Sequence, residues 1–302
     1  MTRSLSVAFF NKNILILLAL VALLVCVFLQ PVVLSRPAYN FQITFDISQS
    51  MKVEDHLIDG KSVSRITAAK AAALRLLKAL PCGSRIGWSV FTERRVVSLI
   101  TPVEVCQHYD ALLSSLNYVG GDMRWANASG VGKGLHASIR ATHGLGETTK
   151  IIFMTDGHEA PPLRAGSRGM PKTDKYPVGG LIVGVGGVSP VRIPKTVDED
   201  GRVTSYWQAD EVVQRSDANF GQSNEELSKR QDVHLGKLGR LANLTYLPLD
   251  STEQLAKAAL TQSLAHKNNV PVDLRWIPAA LALLFLCFRF MPVRFRGKRM
   301  SL

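Results

Sequence analysis

Residues 41–50 read Phe41-Gln42-Ile43-Thr44-Phe45-Asp46-Ile47-Ser48-Gln49-Ser50. The first five predict a buried strand, and the strand runs out into the pattern D-x-S-x-S. A carboxylate and two hydroxyls at alternate positions beyond a strand end can converge on one point. Hard oxygen ligands that converge suit Mg²⁺ or Ca²⁺. An Asp-Ser turn closing a strand would use the same residues, so the rest of the chain must decide.

Outward from this stretch, strand and helix patterns alternate from about Tyr39 to Ala265. Helices are expected at Ser64–Leu80, Val103–Leu116, Gly132–Thr142, Asn224–Leu241 and Thr252–Leu264. Strands are expected at Phe41–Ile47, Arg85–Phe91, Arg95–Ile100, Lys150–Thr155, Gly179–Val185 and Asn243–Leu247. Strands that are apolar throughout and separated by helices imply a mostly parallel sheet covered on both faces. The fold class is therefore α/β, doubly wound, with one antiparallel edge hairpin at 85–100. Such sheets bind ligands beyond the carboxyl ends of their strands. Asp46 and Asp156 both sit at such ends.

The two ends of the chain differ from its middle. Ile14 to Leu29 is apolar without a break, and Val32-Val33-Leu34 extend the run past Gln30-Pro31. About 20 such residues span a bilayer, so residues 1–35 read as a short cytoplasmic tip and an uncleaved transmembrane anchor. A secretory signal peptide is the competing reading. A second run, Trp276 to Phe288 and on to Val293, is followed by Arg294, Arg296, Lys298 and Arg299. Basic residues behind an apolar run mark the cytoplasmic side, so residues 269–302 read as a second transmembrane segment with a basic cytoplasmic tail. Residues 36–268 would then lie outside, in a bacterium in the periplasm, with the inner membrane as the anchor. The formal net charge of +12 gathers largely at the ends. No basic stripe interleaved with aromatics lies between them, which argues against nucleic acid as a partner.

Within the middle, residues 187–220 form a Pro-, Gly- and charge-rich insertion with Ile193-Pro194, Tyr206-Trp207 and a hairpin signal at Asp200-Gly201. Three other segments combine: Asp46, Ser48 and Ser50; the hydroxyl loop Ser129-Gly130-Val131-Gly132-Lys133-Gly134-Leu135; and Thr155-Asp156-Gly157 at a strand end. In order and spacing they resemble the von Willebrand factor type A (VWA) family and its metal-ion-dependent adhesion site, over roughly residues 39–265. The resemblance implies that Asp46 holds a divalent cation, most naturally Mg²⁺, with Ca²⁺ and Mn²⁺ as alternatives. Ser48 and Ser50 would be hydroxyl ligands and Asp156 an acceptor through water. The second loop departs from the family in having Ser129 where Thr is usual. Asp122, in Gly120-Gly121-Asp122-Met123-Arg124-Trp125, is an alternative ligand; the spacing to Gly132 and Gly134 favours Ser129. The resemblance also implies an open coordination position that an acidic partner surface fills. His158, two residues after Asp156, is a candidate partner contact.

The insertion motifs, with Met123-Arg124-Trp125-Ala126, further resemble accessory proteins of periplasmic methanol dehydrogenase of the MxaL and MxaC type. That likeness implies a role in maturation or calcium loading of that enzyme. The aerotolerance group known as Bat shares the domain and the anchors and is the alternative, as is a metal-free scaffold. No Ser-His-Asp or Cys-His set emerges, so the expectation is a binding protein and not an enzyme. Gly130-Val131-Gly132-Lys133-Gly134 imitates a phosphate loop, but a Walker motif needs Ser or Thr where Gly134 stands. Cys82 and Cys106 bracket the edge hairpin. An oxidising compartment would allow them to bond, and free buried thiols are equally compatible.

Overall fold

Asn40–Asp46 forms β1, buried along its whole length in the middle of a six-stranded sheet. The other sheet strands are β2 (Arg85–Thr92), β3 (Arg95–Glu104), β4 (Thr149–Thr155), β5 (Gly180–Gly184) and β6 (Thr245–Pro248). The computed structural model describes residues 12–164, 166–167, 169–173, 175–198, 202–214 and 224–290. Across the sheet the order is β6-β5-β4-β1-β2-β3. Every neighbouring pair is parallel except β2 and β3, which form an antiparallel hairpin at one edge. The chain leaves β1 toward β2 on one side, while β4 flanks β1 on the other. The order therefore reverses between β1 and β4, the place where open parallel sheets bind ligands.

Among the described residues the α-helices are, in chain order, α1 (Lys12–Phe28), α2 (Arg65–Ala79), α3 (Tyr109–Tyr118), α4 (Val131–His143), α5 (Asp232–Ala242), α6 (Gln254–Ala259) and α7 (Trp276–Phe290). Alternate residues of β1 explain the two layers. Phe41, Ile43 and Phe45 pack in one core with α2, α3 and α6. A second core joins Ile151 and Phe153 of β4 to α4 and α5. Both faces of the central strands are thereby covered, which is why Ile151-Ile152-Phe153-Met154 of β4 and Leu181-Ile182-Val183 of β5 are apolar without a break, while β1 turns the buried polar Gln42 and Thr44 to one face. This is a mixed α/β fold with a mostly parallel sheet, consistent with a VWA-type fold.

Three expected helices are shorter than their apolar pattern. Residues 103–104 still belong to β3, because Glu104 accepts from Gly83 N and Gln107 N, both at 2.6 Å, and ties the strand end down; α3 starts only at Tyr109. Residues 224–231 do not join α5, because Leu227–Ser228 pairs antiparallel with Val191–Arg192 of the insertion. Thr252–Leu264 divides into α6 and a 3₁₀ turn, Gln262–Leu264. In the insertion, Pro194–Val197 pairs antiparallel with Val203–Tyr206; the Asp200-Gly201 turn lies outside the described residues.

Pro37–Asn268 is one compact unit, and the described residues before Pro37 and after Asn268 form another. In the second unit α1 and α7 pack against one another. The first expected anchor breaks before its apolar run ends. α1 has 17 residues and ends at Phe28, and Val32-Val33-Leu34 belong to a strand, Val32–Ala38, paired with His266–Val272. Pro31 explains the break, since it lacks the N–H an interior helical position needs. α7 has 15 residues; Met291 to Val293 and the basic tail lie outside the described residues. No helix among the described residues is long and apolar enough to cross a membrane.

Cys82 and Cys106 are joined in a disulfide, with Cα atoms 5.3 Å apart, at the open end of the β2–β3 hairpin. The bond closes a loop with a sequence separation of 24. The loop-closure model gives such a bond about 3 kcal/mol. Reduction is expected to lower unfolding stability by that order, read as a shift in the urea midpoint with and without dithiothreitol. A midpoint unchanged after complete reduction would contradict this.

Candidate metal-binding and partner site

The backbone turns sharply after β1, and Asp46 stays inside it, fully buried. Asp46 Oδ1 accepts from Ser48 N at 2.9 Å, and Oδ2 accepts from the Thr155 hydroxyl at 2.6 Å. Thr155 is the last residue of β4, so the second bond fastens the two neighbouring strand ends together. Thr155 Oγ1 in turn accepts from Gly157 N at 3.0 Å. Ser48 Oγ and Ser50 Oγ lie 3.2 Å apart. The alternate hydroxyls of D-x-S-x-S thus do converge, because residues 49–52 form a 3₁₀ turn that brings Ser50 back beside Ser48.

Ser129 reaches the same cleft from the opposite side. Its backbone is clamped to Ala160 by two 2.7 Å hydrogen bonds, Ser129 N to Ala160 O and Ala160 N to Ser129 O. Ser129 is 2% exposed, and its hydroxyl has no hydrogen-bond partner. Ser48, Ser50, Ser129 and His158 line one cleft of about 240 Å³. Asp122, the alternative ligand, does not join them. It is exposed in a 3₁₀ turn, Gly121–Met123, outside this lining.

The glycines of the hydroxyl loop serve packing and not a phosphate. A Cβ on Gly134 would sit 2.0 Å from the Phe91 ring, and one on Gly132 would sit 2.1 Å from the Gly169 carbonyl oxygen. The start of α4 already has its anion: Glu159 accepts from Val131 N at 3.0 Å and Gly132 N at 3.1 Å. This satisfies two of the helix's orphan donors and sets a negative charge at its positive end.

Asp156 lies beside Asp46, also fully buried, and its partner is a residue the sequence did not single out. Arg65 Nη1 donates to Asp156 Oδ2 at 2.6 Å and to Ser228 Oγ at 2.6 Å. Its Nη2 and Nε donate to Asp55 at 2.6–3.1 Å. Arg65 itself is 0% exposed. Ser228 Oγ donates to Asp156 Oδ2 at 2.8 Å, and His158 N donates to Oδ1 at 3.0 Å. One guanidinium therefore joins α2, the end of β4 and the segment returning from the insertion. It also explains the short strand at 227–228, which delivers Ser228.

The two carboxyls are driven in opposite directions. Burial pushes Asp46 up to about 7, and the neighbouring Asp156 carboxylate adds to this, against hydrogen bonds from Ser48 and Thr155. Burial alone would raise Asp156 too, but the Arg65 guanidinium, then the positive end of His158, hold it below the usual carboxylate range. The partners of Asp46 are neutral, an amide and the hydroxyls of Ser48 and Thr155. A buried carboxylate with no cation opposite it costs much to ionise. Together with the unpartnered Ser129 hydroxyl, this donor set of one carboxylate and three hydroxyls fits a hard divalent cation.

No protein-family model matches this chain, and no curated protein does. Among solved structures, an aerotolerance-related membrane protein from Bacteroides fragilis aligns with a TM-score of 0.51 and 16% identity, over 73% of this chain and 96% of that one. A conserved hypothetical protein, BatB, from Bacteroides thetaiotaomicron aligns with a TM-score of 0.52 and 17% identity, over 73% of this chain and 95% of that one. At these identities the likeness establishes the fold. A von Willebrand factor type A structure from Catenulispora acidiphila reaches a TM-score of 0.43 at 13% identity, over 81% of this chain and 43% of that one, and adds nothing to the assignment.

Proposed function

We propose that the chain is a membrane-anchored, periplasmic binding protein that uses a divalent cation to hold a carboxylate of an acidic partner surface. The observation that carries this reading is the convergent oxygen set. Ser48, Ser50 and Ser129 line one cleft, Asp46 lies buried behind it and is hydrogen-bonded to Ser48 N, the carboxylate lacks a charged partner, and the Ser129 hydroxyl lacks any. These four residues would hold the ion, with Mg²⁺ the first candidate and Ca²⁺ or Mn²⁺ the alternatives. When bound, the ion would supply positive charge and an open position for an external oxygen. Arg65 keeps Asp156 charged and in place beside it, and His158 stands in the lining where a partner would touch. In this reading the role is binding, with Ser48 Oγ and Ser50 Oγ paired as ligands.

The anchoring rests on the apolar surface of the terminal helices. Leu20, Val27 and Phe28 of α1 and Leu283 and Phe290 of α7 are exposed, and contiguous apolar surface of this kind belongs against lipid or protein. The disulfide fits an oxidising compartment. Within this reading, the likeness of the insertion to methanol dehydrogenase accessory proteins supports a metalloenzyme-maturation partner, with calcium loading of that enzyme as the specific case. The structural likeness to an aerotolerance-related membrane protein favours a second reading, an envelope-stress role with the same site.

The test is calorimetric titration of the full-length protein with Mg²⁺, Mn²⁺ and Ca²⁺, beside Asp46→Ala. Saturable binding is expected in the parent and none in a variant with an unchanged circular dichroism spectrum. No saturable binding by the folded parent would overturn the reading in favour of a metal-free scaffold.

A further inference from the structure

The cleft that holds the three hydroxyls has a second wall, built by the insertion. Ile193, Trp207 and Val212 line it together with Ser48, Ser50 and Ser129. Its volume, about 240 Å³, falls below the ~300–1,000 Å³ usual for small-molecule pockets. That size suits side chains offered by another protein.

The apolar wall is fixed in place. Trp207 N donates to Ile193 O at 3.1 Å, and Ile193 N donates to Glu226 O at 3.0 Å. The indole Nε1 donates to Gln49 Oε1 at 2.5 Å, directly between the two metal-loop serines in sequence. Lys195 Nζ lies 4.8 Å from the indole centroid, a cation–π contact that steadies the ring. A wall held this way need not be ordered when a partner arrives, so the contact surface it offers is not offset by entropy. The acidic groups of the cleft are already engaged: Glu159 by the α4 amides, Glu211 by Lys195 and Gln208 N, and Glu225 by other partners. The unmet group is the Ser129 hydroxyl, at the polar end.

We infer that this cleft takes a protein segment in which a carboxylate side chain stands next to an apolar one. The carboxylate goes to the hydroxyl end, and the apolar side chain goes against Trp207, Ile193 and Val212. The inference rests on the cation-dependent reading above and adds the partner's local chemistry to it. The insertion is then the selectivity element, and an isolated acidic residue is a poor ligand.

Two synthetic peptides test this on the full-length protein with saturating Mn²⁺: Gly-Gly-Glu-Leu-Gly-Gly and Gly-Gly-Glu-Ser-Gly-Gly, fluorescently labelled and read by polarisation. Burial of one aliphatic side chain predicts about tenfold or tighter binding of the leucine peptide. Trp207→Ala and Val212→Ser should bring the ratio close to one. Mn²⁺ affinity, titrated separately, should stay within about twofold in Val212→Ser, since Val212, unlike Trp207, makes no hydrogen bond to the Asp46–Ser50 loop. Equal binding of the two peptides by a parent that binds Mn²⁺ overturns the inference and leaves the metal reading intact. A parent that binds no Mn²⁺ overturns both. A Val212→Ser protein that keeps the full ratio, with Trp207→Ala losing Mn²⁺, would make the insertion a brace for the metal loop and also overturn it.

Discussion

Arg65→Met is expected to cost about 3–5 kcal/mol of unfolding stability, the range for removing one partner of a buried ion pair. Arg65 is buried among two carboxylates, and nothing else in the described residues can neutralise Asp156 at 2.6 Å. Methionine fills much of the volume, so the loss reports charge and hydrogen bonds more than packing. For a domain of this size such a loss lowers Tm by roughly 6–20 °C. Arg65→Lys should recover only part of it, since an ammonium cannot reach Asp55 and Asp156 at once with a planar fork. The acid limb should change as well. Asp156 is held below the ordinary range by Arg65, after burial is overcome. The folded state thus stays charged there after the unfolded chain starts to take up protons near pH 4. This stabilisation is complete above that pH and lost as pH falls through the lower folded value. Arg65→Met should remove it. Urea midpoints between pH 3 and 8 check both statements, and a loss under 1 kcal/mol would show the network to be dispensable.

Much of this site could be read without coordinates, and the reason is local. Asp46, Ser48 and Ser50 lie at alternate positions in one short stretch and end a strand whose Phe41, Ile43 and Phe45 announce a buried face. Asp156 does the same for β4. Ser129 could be placed because its distance to Gly132 and Gly134 marks the start of α4. Arg65 was hidden because its partners are 10, 91 and 163 residues away, and no periodicity reports such a contact. A weaker signal was present. Arg65 is the first residue of α2, whose first turn holds no acidic residue, and a cation there opposes the helix dipole. A residue that breaks a local rule often serves a site elsewhere. Leu227–Ser228 was concealed differently. Its apolar spacing runs on into α5, and only pairing with Val191–Arg192 turns it into a strand. The first terminal helix misleads in the same way, since hydropathy continues through Val32–Leu34 while Pro31 ends the helical geometry. The contact of Trp207 with Gln49, 158 residues apart, links the insertion to the Asp46–Ser50 loop and lay beyond any sequence pattern.

Asp46→Asn is expected to abolish cation binding and, without any cation, to make the domain more stable at pH 8. The sign follows from burial. The Asp46 carboxyl is raised to about 7 in the fold by desolvation first and by the Asp156 carboxylate second. In the unfolded chain it titrates near the ordinary ~3.9. Between those values the folded state keeps a proton that the unfolded state has released. Stability of the cation-free protein therefore falls as pH rises through this window, opposite to the usual behaviour of a buried aspartate. Roughly three pH units at about 1.4 kcal/mol each give a loss of about 4 kcal/mol by pH 8. Asparagine has no proton to release, so its stability should be flat across the window. A divalent cation should restore the parent at pH 8 by replacing the proton as the carboxylate's partner, and it should do nothing for Asp46→Asn. Binding must displace that proton below about 7, so apparent affinity should weaken by up to tenfold for each pH unit lower. Urea unfolding in the presence of chelator or 10-fold excess Mg²⁺ at several pH values, for parent and variant, measures each part. A parent whose chelated stability rises from pH 5 to 8 would mean that Asp46 already has a cationic partner in the fold and is not waiting for an ion.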